Sequence, residues 1–310
     1  MGLKDLETYY YNEHKDKIFC TELCVDGKCF YILYDYDKQD EIEKFVSNFT
    51  EYFPYYVYNG DALECIKVTE QISEKLAEVS KRCWSGPNVP GRDEKVNGIF
   101  GEVFLDFYER IIKKNRLAST YASRRDFNSN YENRGFDNVL FKVCDNDIEL
   151  IFAESKFVVD KSSAQSSLIK DIKGEPATPG KKEVIGHLTD KFMNDYITFV
   201  VEKNALFSED DKKILKSFFA ELNDVLINKN GEFISFLINK NIKVNCVFFA
   251  IFKSQSIVPS DYIDAYNSIE REATQHLESI GFKNFSIEIV FIPTFSKSME
   301  IKGAIDKYYE

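Results

Sequence analysis

The sequence predicts an α/β protein, a mixed sheet flanked by helices and preceded by an N-terminal α+β module. Three observations predict it. The run IELIFAESKFVV at 148–159 has the length and apolar content of a buried strand. Two further apolar runs, IKVNCVFFAIF and FSIEIVFIP, enclose a long polar helical stretch at 260–280, the strand–helix alternation of an α/β arrangement. Upstream, NGIFGEVFLDFYERIIKKN carries apolar residues at 100, 103, 104, 107 and 111, helical spacing with one buried face.

The loop SGPNVPGRDEKVNG, with its Pro and Gly residues, punctuates the chain and sets the expected boundary between a module at 1–86 and a larger body at 95–310. Before it the patterns predict a hairpin near 18–35, a helix near 38–50, an aromatic strand near 54–58 and a helix near 66–82. The hairpin turns on VDGK, a two-residue Asp-Gly turn that sets Cys24 opposite Cys29. After the Glu102-bearing helix come three strand candidates, ASTYAS, FDNVLFKV and IELIFAESKFVV, the last two joined by the turn-like CDND. A helical stretch follows from about 162, is broken by GEPATPGKK, and resumes over 183–203. A charged helix at 208–228, the strand IKVNCVFFAIF, the helix at 260–280, the strand FSIEIVFIP and a short C-terminal helix complete the chain. From residue 97 the order is α-β-β-β-α-β, with an extra α-β-α.

Composition narrows the function. Of 310 residues 44% are apolar, so a sizeable core is available. No apolar stretch reaches the ~18–20 residues that cross a bilayer. The opening segment has no apolar h-region. The seven cysteines are odd in number and mostly sit in apolar segments, which fits reduced thiols in a cytoplasmic protein. The net charge of −11 argues against tight autonomous nucleic-acid binding. That charge is uneven: residues 1–70 hold 15 acidic and 7 basic side chains, whereas residues 110–134 hold seven basic and two acidic ones. The basic island reads either as a solvated helix end and loop or as a phosphate contact.

Several chemistries are excluded by their missing motifs. There is no GxxxxGK[ST], no GxGxxG after a strand, no GxSxG and no HExxH. The three histidines, His14, His187 and His276, are scattered. Carboxylate chemistry remains. The string [DE]-x-K occurs eight times, so the string alone carries little. Only Glu154-x-Lys156 lies inside a long apolar strand. Strand alternation puts both side chains on one face, about 7 Å apart. Burying an unpaired charge costs several kcal/mol, so the pair is either a mutual salt bridge or a site completed by a divalent cation. If CDND closes a hairpin, Asp137 begins the neighbouring strand at the end where Glu154 lies, whereas Asp145 and Asp147 sit at the opposite end. Glu102 lies off the apolar stripe of the preceding helix, and Asp106 lies one turn later on the same side. Three carboxylates and a lysine around one point suit Mg²⁺ or Mn²⁺.

Asp137 with Glu154-x-Lys156, following a Glu-bearing helix, resembles the PD-(D/E)xK nucleases of restriction-endonuclease-like fold, with GFD in place of the usual Pro-Asp pair. GEVFLDFYER, RGFDNVLF and LIFAESKF together resemble the HamA subunit of the Hachiman anti-phage defence system, over roughly residues 95–300. The resemblance implies a metal-dependent DNA endonuclease working with a separate helicase subunit, HamB. It implies Glu102, Asp137, Glu154 and Lys156 as the active site and Glu102, Asp137 and Glu154 as the metal ligands. Gln165 is expected to line the site, and Arg124 and Arg125 to contact DNA phosphates. The acidic first 85 residues are expected to be a partner-docking face. Two alternatives stay open: a catalytically inactive binding or regulatory subunit of the same fold, and an RNase of that fold.

Overall fold

The computed structural model describes residues 3–19, 22–25, 28–31, 38–58, 71–84, 98–117, 136–144, 147–174, 188–189, 191, 208–228, 233–256 and 258–310. The chain opens with helix α1 (Leu3–Ile18), a segment to which the sequence patterns assigned no element. The expected hairpin follows as β1 (Glu22–Val25) and β2 (Lys28–Tyr31), with Cys24 in register with Cys29.

Helix α2 (Lys38–Tyr58) overturns one expectation: 54–58 is helical, not a strand. Aromatic content favours strands, but here the rings recur at helical spacing. Phe45, Phe49, Tyr52, Phe53 and Tyr56 form one fully buried stripe. Tertiary packing of that stripe outweighs both propensity and the lost backbone donor of Pro54 inside the helix. Helix α3 is Ile72–Trp84.

Helix α4 (Gly98–Phe107) passes into a π-helical turn at Tyr108–Ile112, where Lys113 N–H reaches the Tyr108 carbonyl at 3.0 Å. From Ile99 to Phe107 every residue but Glu102 is buried. The main sheet comprises β3 (Arg116–Leu117), β4 (Asn138–Cys144), β5 (Asp147–Asp160), β6 (Lys243–Lys253) and β7 (Phe285–Thr294), in that spatial order. The segment ASTYAS lies outside the described residues; β3 immediately precedes it. β3, β4 and β5 pair antiparallel, while β5, β6 and β7 pair parallel, so the sheet is mixed as expected. Helix α5 (Lys161–Lys173) follows β5 directly. It is capped by Asp160, whose side chain accepts from Ser163 N–H at 2.7 Å. Helices α6 (Glu209–Asn228), α7 (Phe233–Asn239), α8 (Ile263–Ser279) and α9 (Ser298–Tyr309) complete the described chain.

The sheet is covered on both faces. Strand alternation sends Ile151, Ala153, Val247, Phe249 and Ile251 into one core with α1, α2, α3, α4 and α9. It sends Leu150, Phe152, Cys246, Phe248 and Ala250 into the other with α5 to α8. Leu6, Phe45 and Tyr56 thus share a continuous cluster with Phe100, Ile151 and Ile305, so the first 58 residues help build the layer that covers the sheet. No described helix is long and apolar enough to cross a membrane.

Candidate active site

β5 is longer than its neighbour. Asn138, the first residue of β4, pairs with Ala153, so residues 154–160 run past the start of β4. Asp137 closes that step. Its Oδ2 accepts from both the backbone N–H and the Oγ of Ser155, each at 2.7 Å, taking the place of the next rung of the ladder. This anchors Asp137 beside Glu154, at the sheet end the sequence predicted. α4 crosses here by way of Gly101: a Cβ at that position would stand 3.0 Å from Ser155 Oγ and 3.5 Å from Phe157 Cβ. The glycine is a close-approach residue, and it lets the helix carry Glu102 to the same end.

Glu154 is 3% exposed, and a lysine holds each of its carboxylate oxygens. Lys156 Nζ donates to Oε1 at 2.7 Å and Lys191 Nζ to Oε2 at 2.5 Å. Lys156 also forms an ion pair with Asp171 of α5 at 2.5 Å. The salt-bridge reading of the Glu154–Lys156 pair is therefore correct as far as it goes, but the cluster is larger. Burial alone would raise the Glu154 carboxyl; Lys156 and Lys191 outweigh it and hold it down to about 2. Asp137 goes the other way. Burial and then the charges of Glu154 and Glu102 push it up to about 8, against the pull of the two lysines. Burial and Glu154 likewise raise Asp171. Both lysines stay firmly charged: burial works against them, and Glu154 more than offsets it.

Glu102 and Asp106, inseparable on the helix alone, have different partners. Glu102 accepts from Tyr56 Oη at 2.7 Å and faces the Asp137 cluster electrostatically. Asp106 is fully buried and committed elsewhere, to Tyr52 Oη at 2.7 Å, Arg110 at 3.3 Å and Asn138 Nδ2 at 3.4 Å. Gln165 lies partly buried on α5 and makes no hydrogen bond to Asp137, Glu154 or Lys156; Asp171, two turns later, reaches the site instead. Arg124 and Arg125 lie outside the described residues. Three other cations of the basic island are taken by acids of the protein body: Arg110 by Asp106, Lys113 by Glu288 and Arg116 by Glu7.

Sequence reasoning missed Lys191, Asp171 and the anchoring role of Ser155. Asp171 was visible as one of the eight [DE]-x-K matches, one step around the helix from the buried positions 164, 168 and 172. Lys191 had no local signal, since its place is set by tertiary packing over Phe136, whose ring centroid lies 5.7 Å from its Nζ.

Glu102, Asp137 and Glu154 are the carboxylates a hard divalent cation would use here. The donors are of the right chemistry, oxygen-only and in excess over the cations near them. Their present spacing is not: among the described residues, no three His, Cys, Asp or Glu side chains are grouped so as to hold a metal ion. Lysine ammoniums occupy the oxygens that Glu154 would offer.

The chain matches the model of the HamA family over residues 9–307 and belongs to that family. The match reaches well into the N-terminal helices, which carried little of the resemblance in the sequence. No curated protein and no solved structure matches the chain.

Proposed function

We propose that this member of the HamA family, a family whose role lies in Hachiman anti-phage defence, is a metal-dependent DNA endonuclease. In this reading it has a restriction-endonuclease-like core of the PD-(D/E)xK kind and acts with a separate helicase subunit. The observation that carries the reading is the hydrogen-bonded seating of Asp137 on Ser155, which places it beside Glu154 and Lys156 at the end of the sheet.

Asp137 and Glu154 would hold the cation, with Glu102 as a third carboxylate. When bound, a hard divalent ion supplies polarisation of a phosphate oxygen and a water of lowered pKa. The chain's own groups do the rest. Glu154 is fixed on a strand paired with β6, so its direction is set by the sheet. Lys156 is oriented by Asp171, which keeps an ammonium beside the site to offset charge growing on the phosphate. The partner helicase accounts for a nuclease chain with a net charge of −11, because in this reading the partner holds the DNA.

The test is cleavage of plasmid DNA with Mg²⁺ by the full chain, with and without the helicase subunit. Glu154→Gln and Asp137→Asn should each lower cutting at least about a hundredfold, the scale of losing one positioned electrostatic group. A competent complex without metal-dependent cutting, or a Glu154→Gln/Lys156→Gln double variant that cuts at the wild-type rate, would refute the enzyme and favour a binding subunit. An RNA substrate run in parallel separates DNase from RNase.

A further inference from the structure

Glu154 belongs to the expected motif, and so does Lys156, but the second lysine on Glu154 does not. Lys191 lies in the connection between β5 and β6, 37 residues on from Glu154, and its Nζ sits 2.5 Å from Glu154 Oε2. Its side chain is 17% exposed, its Nζ lies 5.7 Å from the centroid of the Phe136 ring, and after Glu154 its strongest attraction is to Asp137. The two lysines are not equivalent. Lys156 has a second carboxylate in Asp171 and stays paired if Glu154 turns away. Lys191 places its positive charge against the Glu154 oxygen and beside the Asp137 carboxyl, the two groups that a divalent cation would need.

We propose that Lys191 is a resident counter-ion that occupies the cation's place on Glu154, so that a divalent metal must displace it and its contact sets the metal concentration at which the site loads. The inference rests on the metal-site reading above and concerns regulation of that site. It also accounts for the failure of the carboxylates to form a closed ligand set as they stand. A buried carboxylate stripped of countercharge costs several kcal/mol. An ammonium on a long flexible stem supplies that countercharge and can withdraw toward solvent when a better cation arrives.

The experiment is Mn²⁺ binding to the full chain, followed by electron paramagnetic resonance and calorimetry without nucleic acid. Lys191→Met and Lys191→Gln should bind Mn²⁺ at least about tenfold more tightly than wild type, since they remove a unit positive charge within a few ångströms of the ion. Lys191→Arg should stay near wild type. Lys240→Met, which removes a surface lysine paired with Glu221, controls for net charge and should leave affinity unchanged. Adding Glu154→Gln to Lys191→Met should abolish the gain. Unchanged or weaker binding in folded Lys191→Met and Lys191→Gln overturns the proposal, as does an equal gain in Lys240→Met. If neither Lys191 variant folds, as judged by thermal melting, the lysine is a structural ion-pair partner and the proposal is wrong. The underlying reading fails separately: wild type would bind no Mn²⁺, or Glu154→Gln and Asp137→Asn would bind it as well as wild type does.

Discussion

Asp106 and Glu154 are both buried carboxylates paired with a cation in the same end of the molecule, yet they solve different problems. Asp106 is held by three donors: Tyr52, Arg110 and Asn138 each give it a hydrogen bond, and Arg110 lies over the Tyr55 ring at 4.3 Å. That cluster ties α2, α4 and β4 together. Glu154 has two lysines, but also the carboxyls of Asp137 and Asp171 as neighbours. Asn138 and Asp137, adjacent in the chain, serve the two clusters separately: one completes Asp106, the other crowds Glu154. Burial and pairing are common to both. What sets the Glu154 cluster apart is two further carboxyls, Asp137 and Asp171, each raised by burial and by the Glu154 charge.

The largest test of that difference is Asp106→Ala. It strands Arg110, 1% exposed, without its carboxylate and should cost about 3–5 kcal/mol in urea unfolding. Glu154→Gln also takes the carboxylate from Lys191, but it relieves repulsion with Asp137 and leaves Lys156 on Asp171, so it should cost less, about 1–3 kcal/mol in urea unfolding, while abolishing the proposed cleavage. Equal losses from the two substitutions would erase the distinction.

Gly101→Ala should come next. Its Cβ would meet Ser155 Oγ at 3.0 Å, so α4 must move off β5 or Ser155 must turn away from Asp137. A loss of about 1–3 kcal/mol is expected, with cleavage falling further than the stability change explains. Ser155→Ala sharpens the same point. It removes one of two bonds to Asp137 and leaves the backbone N–H in place, for about 1 kcal/mol of stability and a reduced cleavage rate.

The smallest effect concerns Glu109, buried in the π-helical turn with one hydrogen bond, from Asn115 at 2.6 Å. Burial and then Glu288 raise its carboxyl from 4.5 to about 8. The folded state therefore holds its proton more tightly than the unfolded chain does. Stability from this group is present below pH 4.5 and declines as pH rises through about 8. Glu109→Gln should flatten that decline in melts taken between pH 5 and 9; an unchanged slope would show that the group is not the source.

Periodicity was enough to find the mixed sheet, the turn that pairs β4 with β5, and the helix that brings Glu102. It was enough for Asp137 as well, because antiparallel register follows from turn length, and seventeen residues of separation put it beside Glu154. It failed at 54–58, where ring content suggested a strand and the fully buried stripe on α2 made a helix. It also could not divide Glu102 from Asp106, since both sit on one side of one helix and only their partners on other elements differ.

The sequence by itself determined the α/β order, the strand that carries Glu154 and Lys156, and the strand start that carries Asp137, because each follows from local alternation and short turns. Only the tertiary structure decided that Lys191 and Asp171 complete the cluster, that Asp106 is committed to Tyr52 and Asn138, and that the N-terminal helices share the core of the sheet. Those contacts join residues as far apart in the chain as Phe49 and Tyr309, and the free energy that selects them is the burial of a common core, which no short window of sequence contains.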